Sequence, residues 1–205
     1  LVMPTFAKDP RQTALIAQYE ALARPLAQRV VGRIGAPLLN SGGSPAGETP
    51  LGQVIADAQL AATKDAGAEV AFMNPGGIRA PLPMPADGQV RYENLFSVQP
   101  FYNNLVTMTL SGAQVLTLLE QQWRGQGEQG RIMQVSKGFS YSWDPKRAVG
   151  ERVVPGSVKL NGQPLDPARS YRVTVNSFIA SGGDNFVILK EGKNVRTGVM
   201  DVDAL

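Results

Sequence analysis

The 205-residue chain contains no cysteine and no histidine. The first absence excludes a disulfide frame, a thiolate metal site and a cysteine nucleophile. The second excludes a Ser-His-Asp triad, imidazole zinc ligands and an imidazole general base. Chemistry is left to carboxylates, Arg and Lys, hydroxyls, amides and aromatic faces. The chain also lacks a charge excess. Its 20 Lys and Arg stand against 17 Asp and Glu, scattered without a basic block, which disfavours nucleic acid held along a charge stripe. No apolar run approaches the roughly 18 residues of a membrane span. The opening Leu1-Val2-Met3-Pro4 has no basic leader region. A first residue other than Met leads us to expect a processed chain or a piece of a larger protein.

What is present supports a folded core. Apolar residues make up 43% and charged residues 18%, a balance outside the disordered range. The 22 Gly and 15 Pro predict many turns and shaped loops. The length fits one large domain, or at most two small ones, at about 100–200 residues per domain.

Periodicity sketches a mixed α+β chain. Ala14, Leu15, Ala17, Leu22, Leu26 and Val30 predict a helix over Asp9–Val31, opened by Asp9-Pro10 and kinked or broken by Pro25. A strand follows at Val30–Gly35, and Asn40–Gly47 reads as a loop. Thr49-Pro50 opens a second helix, Leu51 to about Asp65, with Val54, Ile55, Ala58 and Ala61 or Ala62 inward and Gly67 as its stop. Glu69–Met73 predicts a strand buried on both faces. Gln89–Tyr92 and Asn104–Leu110 predict two more. Ser111-Gly112-Ala113-Gln114 fits a capping box ahead of Val115, Leu116, Leu118 and Leu119. Strands are predicted at Phe139–Trp143, Val158–Leu160 and Tyr171–Val175, with a hairpin turn at Asn161-Gly162.

Three loops carry groups that contact ligands. Asn74-Pro75-Gly76-Gly77-Ile78-Arg79 combines glycines, which let a backbone approach closely, with a guanidinium fork for an anion. It reads equally as a Pro-Gly turn with a solvated Arg. Gln99-Pro100-Phe101-Tyr102-Asn103-Asn104 offers an aromatic stacking face with amides beside it, or an aromatic that simply caps the next strand. Asn176–Phe186 places an aromatic, a Gly-Gly turn and Asp184 after a strand. Asp184 suits a diol such as ribose, or an Asx turn on its own backbone. Together the loops supply flat faces for a base, an acceptor for a ribose and a cation for a phosphate. Base–aromatic stacking contributes about 1–3 kcal/mol per base and tolerates every base.

These three segments, NPGGIR, QPFYN and NSFIASGGDNF, resemble the signatures of the C-terminal domain of the 5′-nucleotidase family. That family includes UDP-sugar hydrolases and 2′,3′-cyclic nucleotide phosphodiesterases. Thr49-Pro50-Leu51-Gly52-Gln53 resembles its recurring helix-opening segment, and the resemblance runs in order from about Val30 to Leu189. It implies a single mixed-sheet α+β domain at 31–205, layered α/β/β/α, led by a connector helix within 1–30. It implies that Phe101 and Phe178 sandwich the base and that Asp184 binds the ribose hydroxyls. Asn74 and Asn103 would bond base or sugar, Arg79 would hold phosphate or ribose oxygens, and Gly76, Gly77, Gly182 and Gly183 would belong to the same substrate-binding set.

The chain departs from the family pattern in three places. Asn40–Glu48 lacks the Arg that many members carry there, Gln53 stands where Asn is usual, and Pro75 replaces a residue that is often small. Hydrolysis in the family belongs to an N-terminal metallophosphoesterase domain that holds two divalent metal ions, partly through His. A chain without His is expected to be the substrate-binding domain alone, with no cofactor of its own, inactive by itself, and working in cis with that missing partner. In the family this domain rotates as a rigid body to carry its nucleotide to the metals. Phe at both stacking positions favours a 5′-nucleotidase or nucleotide-sugar hydrolase over a cyclic phosphodiesterase. A non-catalytic nucleoside-binding module and a plain interaction domain are the remaining alternatives. The resemblance also implies a periplasmic, secreted or surface location.

Overall fold

The computed structural model describes residues 5–127 and 130–205. Leu1–Pro4, on which part of the expected connector and the chain's opening fall, lie outside the described residues. The first helix, α1 (Pro10–Ala27), starts as Asp9-Pro10 predicts. The Asp9 carboxylate accepts from the N–H groups of Arg11 (2.8 Å) and Gln12 (3.1 Å), which the first turn would otherwise leave unpaired. Pro25 does not break the helix. It falls in the last turn, and the Gln28 N–H reaches the Arg24 carbonyl at 2.9 Å, closing that turn around the ring. The apolar stripe is real but uncovered: Leu15, Ile16, Tyr19, Leu22 and Leu26 are all exposed.

The strand β1 (Val30–Arg33) leads through a long loop to α2 (Pro50–Ala62), capped by Thr49 Oγ1 on the Gly52 N–H at 3.0 Å. This helix buries Leu51, Gly52, Ile55, Ala56 and Gln59, whereas Val54, expected inward, is exposed. The buried face is rotated because α2 lies directly on Gln134. A Cβ at Gly52 would stand 2.2 Å from Gln134 Oε1. The helix also ends at Ala62, and a 3₁₀ turn, Lys64–Ala66, carries the chain to left-handed Gly67. Next come β2 (Val70–Met73), buried throughout, and β3 (Gln89–Arg91). The following α3 (Tyr92–Val98) has no counterpart in the sequence reading.

The next elements are β4 (Asn104–Ser111) and α4 (Gly112–Glu120). The predicted capping box is present: Ser111 Oγ accepts from the Gln114 N–H (3.2 Å), and Gln114 Oε1 accepts from the Ser111 N–H (2.9 Å). Four short strands follow, β5 (Gln134–Val135), β6 (Phe139–Ser140), β7 (Lys159–Leu160) and β8 (Gln163–Pro164). The predicted strand through Trp143 is shorter than expected, and Trp143 makes only an isolated bridge to Val153. The Asn161-Gly162 hairpin turn forms, both residues having positive φ. The chain closes with β9 (Ser170–Asn176), α5 (Ser177–Ala180), β10 (Lys193–Met200) and α6 (Asp201–Ala204).

Five strands form the main sheet in the order β10-β4-β9-β2-β5, with β2 and β9 parallel and the other pairs antiparallel. The mixed-sheet α+β class is therefore as expected. Alternation sorts its two faces. Val70, Phe72, Val106, Met108, Leu110, Val173 and Val175 pack with Leu118 and Leu119 of α4 and with Phe139 and Leu160 of the small β6-β7-β8 sheet. Met73 packs on the other side with Leu51 and Ile55 of α2 and with Leu95, Val98 and Val202. The β1-β3 ribbon is a separate pair.

Candidate functional site

The sheet order explains how three distant loops meet. In β4-β9-β2, β9 and β2 run parallel while β4 runs against β9, with Leu105 opposite Asn176. The ends of β2 and β9 and the start of β4 therefore share one edge. The Asn74, Phe101 and Phe178 loops all leave from that edge. They enclose a cleft of about 440 Å³ lined by Asn74, Gly76, Gly77, Arg79, Phe101, Asn103, Arg131, Phe178 and Asp184. Eight of the residues singled out in the sequence thus line one cavity. Gly182 and Gly183 do not line it but build the turn behind it.

Phe101 and Phe178 are the large aromatics of the cleft, 49% and 47% exposed. Neither is core, although Phe101 leads into β4 and Phe178 follows β9, both largely buried strands. The Arg79 guanidinium lies 5.8 Å from the Phe101 ring centroid, a cation–π distance. The Arg79 N–H bonds the Val98 carbonyl at 2.9 Å, so α3, unseen in the sequence, fixes this loop. Tyr102 turns its ring to Phe96, centroids 5.2 Å apart, and is not part of the cleft lining. Gly183 has a steric reason. A Cβ there would sit 2.6 Å from the Phe178 carbonyl oxygen and 2.7 Å from its ring Cζ, so any side chain would displace the ring.

Asp184 is the chemical centre. It has left-handed backbone geometry (φ 53, ψ 23), which Asp adopts more readily than most residues. Its side chain is 9% exposed. Oδ2 accepts from Asn74 Nδ2 at 2.7 Å, and Oδ1 is paired with the Arg131 guanidinium. The Gln126 side chain donates to the Asp184 carbonyl. Asn74 is itself buried, and its Oδ1 accepts from Asn176 Nδ2 at 2.8 Å. Asn176 Oδ1 in turn caps α5 by accepting from the Ile179 N–H at 3.1 Å. The Asn74 amide thus orients Asp184 through a hydrogen-bonded chain that reaches Asn176, while Asn74 also lines the cleft. Asn103 Oδ1 accepts from Ser177 Oγ at 3.2 Å, tying the second loop to the third.

Sequence reasoning missed Arg131 and Gln126. Both lie near a glycine-rich stretch after α4, where no motif or period marks them. Their importance comes from meeting Asp184 across 53 and 58 positions. A hollow beside the cleft is lined by the Asn40–Ser44 loop, Gly47, Thr49, Pro75, Ile78 and Gln134. Among the described residues, no Arg or Lys lines it. Among the described residues, no group of three or more metal-ligating side chains comes together, so these residues do not fit a metal centre.

Comparison with known proteins places this cleft in context. The family model described as "5′-nucleotidase, C-terminal domain" matches residues 30–191. An endonuclease of Bacillus subtilis, YhcR, is 33% identical over 199 residues, covering 96% of this chain and 15% of its own. The cell wall protein Lmo0130 of Listeria monocytogenes is 34% identical over 154 residues, covering 72% of this chain and 19% of its own. The crystal structure of a 5′-nucleotidase precursor from Thermus thermophilus superposes with a TM-score of 0.78 at 36% identity, over 94% of this chain and 38% of that one. The chain thus spans well under half the length of each relative. With three motif loops converging on one cleft and the family model spanning β1 to the residues before β10, this chain belongs to the 5′-nucleotidase C-terminal domain family.

Proposed function

We propose that this domain binds the nucleoside part of a nucleotide and presents its phosphate ester to a metallophosphoesterase domain in the same protein. One observation carries the reading: two half-exposed phenylalanines share a cleft with a carboxylate held rigid by Asn74 and Arg131. An exposed aromatic face supplies stacking without base selectivity. A fixed carboxylate accepts from both hydroxyls of a ribose, and charged acceptors make the stronger bonds. Asn103 offers an amide, and Arg79 and Arg131 give the cleft two guanidinium groups against one carboxylate, favouring an anionic ligand.

The parent protein is, on this reading, a 5′-nucleotidase-type phosphoric ester hydrolase of nucleotide catabolism. Its two divalent metal ions belong to the partner domain, and this chain supplies specificity and positioning. A nucleoside-recognition module serves a nucleotidase and a nuclease alike, so likeness to both a 5′-nucleotidase precursor and an endonuclease supports it. Residues 1–30, with α1 and its uncovered apolar stripe, are the connector, and 31–205 the binding domain. No helix among the described residues is long and apolar enough to cross a membrane. Likeness to a cell wall protein supports a periplasmic, secreted or surface location.

The test is calorimetry with adenosine and AMP on the 205-residue chain, beside an AMP hydrolysis assay with added divalent metal. Binding without hydrolysis is expected. Phe101→Ala should weaken binding by the stacking increment of about 1–3 kcal/mol, roughly 5- to 150-fold, with little change in stability because the ring is half exposed. Unchanged affinity in Phe101→Ala would refute the stacking assignment, and metal-dependent hydrolysis by the chain alone would refute the division of labour.

A further inference from the structure

Asp201 opens α6 and is 1% exposed, yet no ion pair holds it among the described residues. It lies directly behind the cleft. Its N–H donates to the Asn103 carbonyl at 2.8 Å, and Met200 pairs with Asn104. Its carboxylate accepts from the Val202 N–H at 2.9 Å and lies beside the Asn103 side chain. Donor accounting agrees. Asn103 Oδ1 is taken by Ser177, which leaves the Asn103 Nδ2 as the group to meet an acceptor.

We propose that Asp201 is a positioning residue of the binding cleft, holding Asn103 by main chain and side chain and thereby setting the Phe101 loop. The proposal rests on the nucleoside reading above. Asn103 lines the cleft and follows Tyr102, whose φ of 53 marks a tight turn directly after Phe101. A release at Asn103 therefore reaches the stacking ring within two residues.

The energetics point the same way. Burial pushes the Asp201 carboxyl up to about 6, with the field of Asp203 adding to it and the Asn103 and Val202 hydrogen bonds opposing. Other charged groups on the elements around α6 are engaged elsewhere or far along their strand. Asp57 of α2 accepts from the Lys137 N–H, and Arg196 of β10 reaches the Asp65 carbonyl. Lys193 stands at the opposite end of β10, and Asp203 itself bonds Tyr92 Oη. A carboxyl whose folded pKa is raised stabilises the fold at low pH and loses that contribution as pH rises through the folded value. At neutral pH the ionised Asp201 therefore costs stability that an asparagine would not. That cost fits a role in holding the cleft, since an ionised carboxylate draws the Asn103 N–H more strongly than a neutral acid.

The experiment uses the 205-residue chain as wild type, Asp201→Asn and Asp201→Ala. Adenosine affinity is measured by calorimetry from pH 5 to 7.5, and the Asn103 side-chain amide is followed by NMR over the same range. Wild-type affinity should rise about fivefold from pH 5 to 7.5, the part of a one-unit pKa shift on binding that falls within this range. The Asn103 amide signals should titrate with it. Asp201→Asn should flatten both profiles and melt higher than wild type at pH 7.5, the gain shrinking towards pH 5. Asp201→Ala should bind more weakly at every pH. A pH profile that survives in Asp201→Asn, or Asn103 signals that stay fixed through pH 6, would overturn the proposal. If adenosine fails to bind wild type at all, the nucleoside reading falls, and the Asn103 titration alone then decides whether Asp201 holds Asn103.

Discussion

Asp184→Asn is expected to weaken adenosine binding by about two orders of magnitude while the chain stays folded. The estimate follows from two charge-assisted hydrogen bonds to the ribose hydroxyls, each contributing about 1.5–3 kcal/mol, of which the amide retains at most one in weaker form. Asparagine is the informative replacement. It tolerates the left-handed backbone at this position (φ 53), whereas alanine would add strain. Alanine would also leave the Asn74 amide, 1% exposed, without its acceptor, at a cost of about 1–3 kcal/mol in stability. With asparagine the Oδ1 atom keeps one neighbour satisfied, and Arg131, already 44% exposed, turns to water. Arg131→Ala serves as the companion. It frees Asp184 Oδ1 but removes a cation, so AMP should lose more affinity than adenosine. Calorimetry with both ligands reads the difference. Affinity of Asp184→Asn for adenosine within threefold of wild type would refute the ribose role.

The three loops were legible in the sequence because each packs its chemistry into a few consecutive residues, so local order alone reveals it. Helices with caps were legible for the same reason, as at Asp9 and at Ser111-Gln114. Features that depend on distant partners were not. Arg131 has no local signature, and its pairing with Asp184 exists only because the segment before β5 folds beside the Asp184 turn. Val54 was misplaced because the inward face of α2 is set by Gln134, more than eighty positions away along the chain. β10 escaped detection because it is an edge strand, exposed along nearly its whole length, so no apolar alternation marks it. α3 is too short, at 7 residues, to show a helical period. Asn74 shows the limit of motif reading most clearly. The motif suggests a contact to base or sugar, whereas its bonds to Asp184 and Asn176 are visible only in three dimensions.

That dependence of the cleft on its underlying sheet makes Phe72 the position where one substitution should do most damage to the fold. Phe72 is fully buried in the centre of β2. Its ring meets Phe139 edge-on, centroids 5.0 Å apart at 86°, and so joins the main sheet to the small β6-β7-β8 sheet. Phe72→Ala should cost about 3–5 kcal/mol through lost burial and the cavity left behind, with about 0.5–1.5 kcal/mol of that range tied to the aromatic pair. Domains of this kind are stable by only about 5–15 kcal/mol, so the denaturant midpoint should fall by about a fifth or more. Phe72→Leu, which keeps most of the volume but loses the ring, should cost clearly less. Denaturation monitored by tryptophan fluorescence suits the measurement, since Trp123 lies in the same core. An unfolding free energy for Phe72→Ala within about 1 kcal/mol of wild type would mean that the two sheets do not depend on this contact. The effect should also reach the cleft. Two residues after Phe72, Asn74 leaves the strand to orient Asp184, so a β2 that shifts to fill the void displaces the carboxylate. Adenosine affinity in Phe72→Ala should therefore fall under conditions where the chain is still folded, while Phe72→Leu keeps it.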